Sequence, residues 1–583
     1  MDPTATLCTG AAERLNGVWD DSTRAHLEAA FRATGLPYAQ RTSVLTAERL
    51  DRWAKDWTAA HEDTCAATAI RKEQSTEVQA LRMVCLDRRR IEVEALVRRL
   101  NVADATIVER AVRAVEDLPP VAACADLGAL TAVVPPPSDP ARQAEIEQIE
   151  RDLAEIEALR RTGDPRSIGA RIAQLVARAR AIGWRPLDAS VLFLDADVAG
   201  RIGVPAQEVE AKLHLAARAA AEARDDARLA RAWSSLVGLL GNDPRRRADA
   251  ELFEGYARAV LERLAVRAEA ELDLASARCD RNVPSAAGAD EIAEAARAEA
   301  DCRDVIARAE RIDPPRPETA AGALLRVAHF LRVQGKRNEA RETILRAARW
   351  NEELFGAASP GVAHARHVLA TSLLTEKKVD EAIAEFEAVL ALRRVLYPDG
   401  GVKLGESLQG LGDALSSAPH PERALPYLRE ARDVFARAEG TTGVRAANAE
   451  LLIAITLDDL GRFAEAVTAY DASAARRAQA LGADHRSLHL TLRLAAGASL
   501  RLDRATQAVG YLEHAKRTLG EGEKLEAGEV TFALAQALVA EGRDLARART
   551  LAGEARRLLV AAGESGAKGV AELDAWLRAR RWR

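Results

Sequence analysis

Small apolar residues recur through the second half of the chain every 42 positions, with polar residues arranged similarly around each. The repeated residue is an alanine, at Ala340, Ala382, Ala424, Ala466 and Ala508. Another small residue stands twelve positions earlier, at Ala328, Ala370, Gly412, Ala454 and Ala496. This period is typical of stacked helical hairpins, in which small residues let two antiparallel helices approach closely. Large residues four positions after the alanine, such as Phe386 and Leu428, are predicted to fill the space between hairpins.

The composition favours helices along the whole chain. Of the 583 residues 48% are hydrophobic, but only 4% are aromatic. Ala, Leu, Arg and Glu are abundant and are strong helix formers, whereas the residues that favour strands are few. We therefore predict an all-α protein, with an N-terminal helical unit followed by a solenoid.

Breaks in the pattern predict five segments. Residues 133–140 contain three consecutive prolines, which break helices, and are predicted as a linker. Asp139 is predicted to cap the next helix, with Pro140 at its first position. The segments are a cysteine-bearing helical unit at 1–132, the linker at 133–140, degenerate hairpin repeats at 141–312, the regular 42-residue repeats at 318–520, and an irregular terminal hairpin with a capping helix at 521–583.

Charge and hydropathy exclude several classes of partner. The net charge is −5, and the two signs are interspersed, so no basic stripe for nucleic acid is present. No apolar run approaches the roughly 20 residues that span a bilayer. The first residues also lack the basic and apolar regions of a secretory signal, and we expect a cytoplasmic protein by default.

Residues 318–520 resemble tetratricopeptide repeats. The recurring pattern appears as Leu331…Gly335…Glu339-Ala340 and as Leu457…Gly461…Glu465-Ala466. The period of 42, with linkers such as that at Leu396-Tyr397-Pro398-Asp399, resembles the repeats of kinesin light chains. The resemblance implies a right-handed superhelix whose inner groove, lined by the first helix of each hairpin, binds peptides or protein segments.

The groove-facing positions implied by this resemblance change from His- and Arg-rich to acidic along the array. They are His329, Arg332, His364, His367, Thr371, Glu406, Gln409, Asp413, Asn448, Ile455, Asp458, Asp459 and Arg493. Such a groove suits a protein segment of mixed charge. The alternative is that many of these side chains are only solvated.

The N-terminal segment resembles a more particular family. The segments 8–20, 61–65, 82–89 and 118–124 are similar to the region that follows the membrane anchor in certain large bacterial serine/threonine kinases. That architecture implies a kinase domain, a membrane helix, this cysteine-bearing unit and C-terminal repeats. The chain lacks the Gly-rich loop, the His-Arg-Asp loop and the Asp-Phe-Gly triplet of a kinase, so we expect no enzyme activity. It is expected to be either a free-standing relative or a fragment, and a fragment of an anchored kinase would be extracytoplasmic.

Four of the six cysteines, Cys8, Cys65, Cys85 and Cys124, lie in the first segment. Cys65 and Cys85 are about equally far from a predicted turn near Ser75, which would place them opposite each other in an antiparallel hairpin. A disulfide between them would contribute on the order of 3 kcal/mol, and Cys8 and Cys124 would then pair. Reduced buried thiols, a metal site with His61 and a catalytic cysteine are the alternatives.

Few other residues suggest chemistry. His364 and His367 share a helix face, but no carboxylate completes a metal site there, and no cofactor motif is present. The leading hypothesis is a non-catalytic scaffold or sensor that binds a protein or peptide. The alternative is the sensing extension of a serine/threonine kinase whose catalytic domain is absent from this chain. A regulator that responds to a small molecule or peptide signal is a third hypothesis. The oligomeric state stays open.

Overall fold

The computed structural model describes residues 8–163, 168–280, 289–440, 443–520 and 522–580. Within these ranges the regular elements are all helices, which confirms the all-α prediction. No helix in the described ranges is long and apolar enough to cross a bilayer. The chain divides into two compact units, Met1–Ala365 and Arg366–Arg583.

Helices of the first unit follow one another through short connections. In chain order they are α1 (Asp21–Ala33), α2 (Ala39–Ala69), α3 (Thr76–Leu100), α4 (Ala105–Glu116), α5 (Leu127–Ala132), α6 (Pro140–Thr162), α7 (Gly169–Ile182), α8 (Arg185–Arg201), α9 (Ala206–Ala223), α10 (Asp226–Gly241), α11 (Arg247–Leu261), α12 (Ala268–Cys279), α13 (Ala289–Arg311), α14 (Pro317–Val333) and α15 (Arg337–Phe355). The next helix, α16 (Pro360–Thr375), contains the boundary between the two units.

Side-chain caps fix several helix starts in this unit. The Asp20 carboxylate accepts a hydrogen bond from the backbone N–H of Thr23, whose hydroxyl accepts in return from the backbone of Asp20. This reciprocal pair satisfies two backbone donors at the start of α1. Asp139 caps α6 with Pro140 in its first turn, as the sequence predicts.

The proline-rich segment 133–140 lies inside the first unit. Val134 donates its backbone N–H to the carbonyl of Ala223 at 3.2 Å and accepts from the Trp184 indole at 2.9 Å. Helix α3, which precedes the segment, also packs against α6, which follows it. The segment is therefore hydrogen-bonded to Trp184, at the start of α8, and to the end of α9. The division of the chain into five segments stays a prediction from the sequence.

The second unit is a series of helical hairpins. Its helices are α17 (Val379–Leu396), α18 (Val402–Ser416), α19 (Ala424–Glu439), α20 (Val444–Asp459), α21 (Phe463–Leu481), α22 (His489–Leu500), α23 (Ala505–Arg517), α24 (Lys524–Glu541), α25 (Leu545–Ala561) and α26 (Ala567–Ala579). Helices α18 and α19, α20 and α21, α22 and α23, and α24 and α25 pack pairwise. Each pair is one repeat unit that buries its apolar face against its neighbours.

The 42-residue pattern marks the helix contacts. All five repeated alanines are completely buried, each in the second helix of a hairpin. The small residue twelve positions earlier lies in the first helix. At Gly412 a methyl group would lie 2.5 Å from Leu428 Cδ2, so α18 and α19 meet at a distance that only glycine allows there.

Candidate protein-binding surface on the first helices

The positions expected to face a groove all lie on the first helix of a hairpin. In the first unit, His329 and Arg332 are on α14 and His364 is on the N-terminal half of α16. In the second unit the remaining ten residues lie on the rest of α16, α18, α20 and α22. We call these ten the first-helix surface: His367, Thr371, Glu406, Gln409, Asp413, Asn448, Ile455, Asp458, Asp459 and Arg493.

None of these residues is fully buried. His364, Asp413 and Asp459 are exposed, and the others are half-buried. A half-buried polar residue on a helix that also packs against a neighbouring hairpin is accessible to a partner while its backbone stays fixed. The exposure of these residues is therefore compatible with binding. That any one of them contacts a partner stays a prediction.

In the first unit, His329 lies with its ring edge-on to that of Phe330, with ring centroids 5.4 Å apart.

The two histidines of α16 fall on opposite sides of the unit boundary. The His367 ring packs edge-to-face on Phe386, with centroids 5.4 Å apart, and the Thr371 hydroxyl donates to the carbonyl of His367 at 3.0 Å. His367 is thus packed against α17.

Glu406 and Asn448 are partly engaged within the protein. Glu406 lies 3.2 Å from Lys403 and 3.8 Å from the buried guanidinium of Arg393. Asn448 accepts a hydrogen bond from Arg477, whose pKa is lowered by burial. Both polar side chains are held in place by arginines of second helices, which makes them defined features of the surface.

Arg493, at the far end of the surface, faces a carboxylate from the next hairpin. Its guanidinium lies 3.5 Å from Glu529 on α24. Both side chains remain partly accessible, so the pair is a weak solvated ion pair. Gln409 and Ile455 are half-buried and contribute an amide and an apolar contact area to the same row of helices.

Helices α18 and α20 lie side by side in the middle of this surface. The hydroxyls of Ser416 and Thr456 share a hydrogen bond of 2.8 Å, which joins the C-terminal parts of the two helices. Asp413 precedes Ser416 by less than one turn, and Asp458 follows Thr456 by two residues. The structure thus brings two carboxylates of consecutive first helices to the same end of the hairpins.

The carboxylates of Asp413, Asp458 and Asp459 have little positive charge close to them. The side chain of Asp413 is exposed, yet the surrounding protein raises the pKa of its carboxyl by desolvation. Burial likewise raises the pKa of Asp458, partly offset by Arg501 and reinforced by Asp459. Within the described ranges none of the three aspartates forms an ion pair closer than 4 Å.

Tyr470 adds a polar group that sequence reasoning missed, because its position in the repeat predicted only a space-filling role. Its ring is buried, and burial followed by the charges of Asp458 and Asp459 raises the pKa of its phenol. Among the residues that the structure describes, its hydroxyl and Asp458 Oδ1 are buried without a hydrogen-bond partner. The Asp458 oxygen therefore lacks a donor, and the Tyr470 hydroxyl lacks a partner of either kind.

All six cysteines form disulfides, but with a connectivity that differs from the predicted one. Cys8 pairs with Cys65, and Cys85 pairs with Cys124, in place of the Cys65–Cys85 and Cys8–Cys124 pairs. The third disulfide, Cys279–Cys302, joins α12 to α13 and was not predicted. Because every cysteine is in a disulfide, the structure does not agree with reduced buried thiols, a cysteine metal site or a catalytic cysteine.

The connectivity error has a geometric cause. Trp57 donates its indole N–H to the carbonyl of Leu86, and Arg82 bonds to Asp63. These contacts place the centre of the α2–α3 connection near residue 72, since α2 ends at Ala69 and α3 begins at Thr76. Cys65 is therefore opposite residues near Gln79, more than one helical turn before Cys85.

Other candidate chemistry is limited. His61 packs on Trp57, with ring centroids 5.1 Å apart, and burial lowers the pKa of its imidazole. In the ranges that the structure describes, no three His, Cys, Asp or Glu residues are grouped to hold a metal ion.

The architecture defines a helical-hairpin repeat protein. Residues 318–394 match the tetratricopeptide repeat family model, within the region that the sequence pattern assigned to such repeats. A comparison with curated proteins found no match.

Several solved structures are similar in parts. The nearly identical TPR-like repeats assigned to a kinesin light chain of Podosopora anserina share 20% identity over 34% of this chain and 96% of their own, with a TM-score of 0.31. A Rap protein complexed with Competence and Sporulation Factor shares 13% identity over 64% of this chain and 99% of its own, with a TM-score of 0.35. Aspartyl phosphate phosphatase F from Bacillus subtilis shares 15% identity, covering 73% and 96%, with a TM-score of 0.33. The tetratricopeptide assignment rests on residues 318–394.

Proposed function

We propose that this protein is a non-catalytic scaffold that binds a segment of another protein on the first-helix surface, with basic side chains of that segment contacting Asp413, Asp458 and Asp459. Tetratricopeptide repeats are typical protein-interaction modules, which supports the general role. The observation that carries the finer proposal is the pair of desolvated carboxylates on adjacent first helices, without ion-pair partners in the described part of the chain.

Electrostatics favours a basic partner at this place. A carboxylate that is desolvated without an ion-pair partner is destabilised, and a lysine or arginine from a ligand would relieve that penalty. Asp413 is exposed, so its carboxylate would accept a charge-assisted hydrogen bond from such a side chain. Further along the chain, Arg493 would contact an acidic position of the same segment. A mixed-charge peptide is therefore the expected occupant.

Peptide display on the purified chain tests this proposal. Selection from a random peptide library should enrich sequences that contain Lys or Arg, and the enriched peptides can be labelled for fluorescence anisotropy. Replacing both acids, in an Asp413→Asn and Asp458→Asn variant, should weaken their binding roughly tenfold or more, because two charge-assisted contacts are lost. Higher ionic strength should weaken binding by the unmodified chain more than by the variant.

Asp433→Asn is the matched control. Asp433 is an exposed aspartate on the second helix α19, where it pairs with Arg432. Its replacement should leave peptide affinity unchanged. Enriched peptides without basic residues, or peptides that bind the double variant as tightly as the unmodified chain, would contradict the proposal.

The disulfides favour an oxidising compartment over the cytoplasmic default, and with it the second candidate function. Structural disulfides persist outside the reducing cytoplasm and are rare within it. An extracytoplasmic location is what the resemblance to receptor-like serine/threonine kinases implies, so the sensing extension of such a kinase remains the alternative function. An in-frame kinase and membrane segment in the gene would support it.

Thiol titration of the natively produced protein tests the compartment. Denatured without reductant, the chain should show no reactive thiol, and after reduction it should show all six cysteines. Six free thiols before reduction would place the protein in a reducing environment and leave the kinase resemblance as evidence of ancestry alone.

A further inference from the structure

The first unit encloses a cavity that the protein-binding proposal does not involve. Its volume is about 840 Å³, and it is lined by side chains of α3, α4, α6, α8, α9, α10 and α12. Ligand sites for small molecules are typically roughly 300–1,000 Å³. We call this space the chamber.

The chamber has apolar walls with fixed aromatic rings. The Arg88 guanidinium lies 5.6 Å from the centre of the Trp184 ring, and that of Arg231 lies 5.0 Å from the centre of Phe193. The Trp184 indole donates to Val134, so its orientation is set by the proline-rich segment. Leucine side chains such as Leu153 and Leu213 add apolar surface between them. The walls therefore suit a ligand with an apolar body.

Charges around the chamber are almost balanced pair by pair. Most lining carboxylates have an arginine of their own: Glu92 with Arg89, Glu116 with Arg49, Asp117 with Arg113, Glu150 with Arg88, Asp225 with Arg228, Glu269 with Arg316, Asp273 with Arg231 and Asp280 with Arg326. The exception is a group on α6 and α8.

In that group three arginines share two carboxylates. Arg160 lies 2.8 Å from Glu157 and 3.2 Å from Asp197, and Arg201 lies 2.9 Å from Asp197. Among the described residues, Arg161 has one carboxylate within 4 Å, that of Glu157 at 3.5 Å. In this group the arginines therefore outnumber the carboxylates that they contact, although the whole lining holds nine arginines and ten carboxylates.

Arg161 has the longest ion pair of the three arginines. Its side chain is only 5% exposed, and burial lowers its pKa. Among the described residues, its Nε and Nη1 atoms have no hydrogen-bond partner. Buried guanidinium donors without acceptors are costly, and an anion in the chamber would satisfy them. The buried hydroxyl of Ser234, in the same lining, is also unpartnered within the described ranges.

We propose that the chamber binds a small organic anion whose acidic head group accepts hydrogen bonds from Arg161 and whose apolar body packs between Trp184 and Phe193. This site is separate from the first-helix surface, and its occupancy does not depend on peptide binding. The chain would then respond to a small amphipathic molecule in addition to holding a protein partner.

Two fluorescent probes with nearly the same aromatic body test the head-group requirement. Anilinonaphthalene sulfonate carries one negative charge, whereas N-phenyl-1-naphthylamine is neutral. The unmodified chain should bind one equivalent of the anionic probe, and should bind it more tightly than the neutral probe. Equal affinity for the two probes would overturn the proposal.

Substitutions in the lining separate the effect of the Arg161 charge from that of the free volume of the chamber. Arg161→Met should weaken the anionic probe roughly tenfold or more, as expected for the loss of a charge-assisted hydrogen bond, and leave the neutral probe unchanged. Arg161→Lys should retain the preference for the anion. Ser235→Trp, which fills the chamber, should abolish binding of both probes. Arg218→Met is the control, because Arg218 is 79% exposed on α9 and outside the lining.

Competition identifies the head group. Decanoate and decyl phosphate share one chain length but differ in acid, and decanol lacks the charge. Displacement of the anionic probe by either acid, but not by decanol, supports the proposal and indicates which acid the chamber prefers. Displacement by decanol alone, or undiminished binding in both Arg161→Met and Ser235→Trp, would overturn it. Circular dichroism checks that each variant is folded, and Ser235→Trp decides the result if Arg161→Met does not fold.

Discussion

The close packing of α18 on α19 leads to a prediction in which one substitution has opposite effects at two positions. Gly405 is buried on α18 against the ring of Phe435, which is only 1% exposed. A methyl group at Gly405 would lie 2.6, 2.8 and 2.9 Å from three atoms of that ring. Carbon atoms in contact are normally about 3.5–4.0 Å apart, so the helices or the ring must move by about 1 Å.

The magnitude follows from two opposing terms. Alanine favours a helix over glycine by roughly 1 kcal/mol, and overpacking in a core costs about 1–3 kcal/mol. We therefore expect Gly405→Ala to lower the free energy of unfolding by up to about 2 kcal/mol. Gly497, on α22, is exposed and has no atom within 4 Å of a built methyl group. Gly497→Ala should keep only the helix term and stabilise the protein by up to about 1 kcal/mol.

Urea unfolding followed by circular dichroism at 222 nm measures both variants, with midpoints compared at matched slopes. Because repeat arrays unfold in parts, hydrogen exchange at α18 and α22 should assign each change to its own hairpin. Gly405→Ala should cost less in a Phe435→Leu background than in the unmodified chain, since the smaller side chain leaves room for the methyl group. If Gly405→Ala is as stabilising as Gly497→Ala, the close approach of α18 and α19 is wrong.

Three further predictions concern the rest of the chain. Ala424→Leu, at a completely buried repeat position, should cost roughly 1–3 kcal/mol by overpacking, and unchanged thermal melting would contradict the repeat register. Replacing Cys279 and Cys302 by serine should lower the free energy of unfolding of the first unit by about 3 kcal/mol, as read from urea midpoints, because a loop of 23 residues is no longer closed. Burial, reinforced by the charge of Glu116, raises the pKa of Glu318 to about 8 from an ordinary 4.5. Between these two pH values the folded state keeps a proton that the unfolded state has lost, so stability falls as the pH rises from about 4.5 to 8. At about 1.4 kcal/mol per pKa unit, Glu318→Gln should therefore stabilise the first unit by a few kcal/mol at most at pH 9 and by less at pH 6. Equal shifts of the melting temperature at both pH values would contradict the titration of Glu318.

The repeat architecture was readable from sequence because its contacts are periodic. A hairpin meets the next hairpin at the same positions each time, so small residues such as Ala328 and Ala340 mark helix crossings directly. The same register placed every expected groove residue on a first helix. Local caps were equally readable, as at Asp139, since a cap bonds to backbone only a few residues away.

The electrostatics of the first-helix surface was less predictable. Glu406, Asn448 and Arg493 looked equivalent to Asp413 in the pattern, yet each of the three has a charged or hydrogen-bonding partner on another helix. Such partners lie on neighbouring helices at separations that differ from one repeat to the next. Whether a charged side chain is available to a ligand therefore depends on side-chain packing that the pattern does not contain.

What the sequence alone determined is the helical class, the hairpin register and the helix that carries each candidate residue, because these depend on local propensity and on a repeated contact. Tertiary structure alone decided which cysteines pair, since the register of α2 against α3 separates Cys65 from Cys85, and Cys65 bonds to Cys8 while Cys85 bonds to Cys124. It also decided that Arg161 remains without its own carboxylate, because that balance is set by arginines and acids from several helices around one cavity.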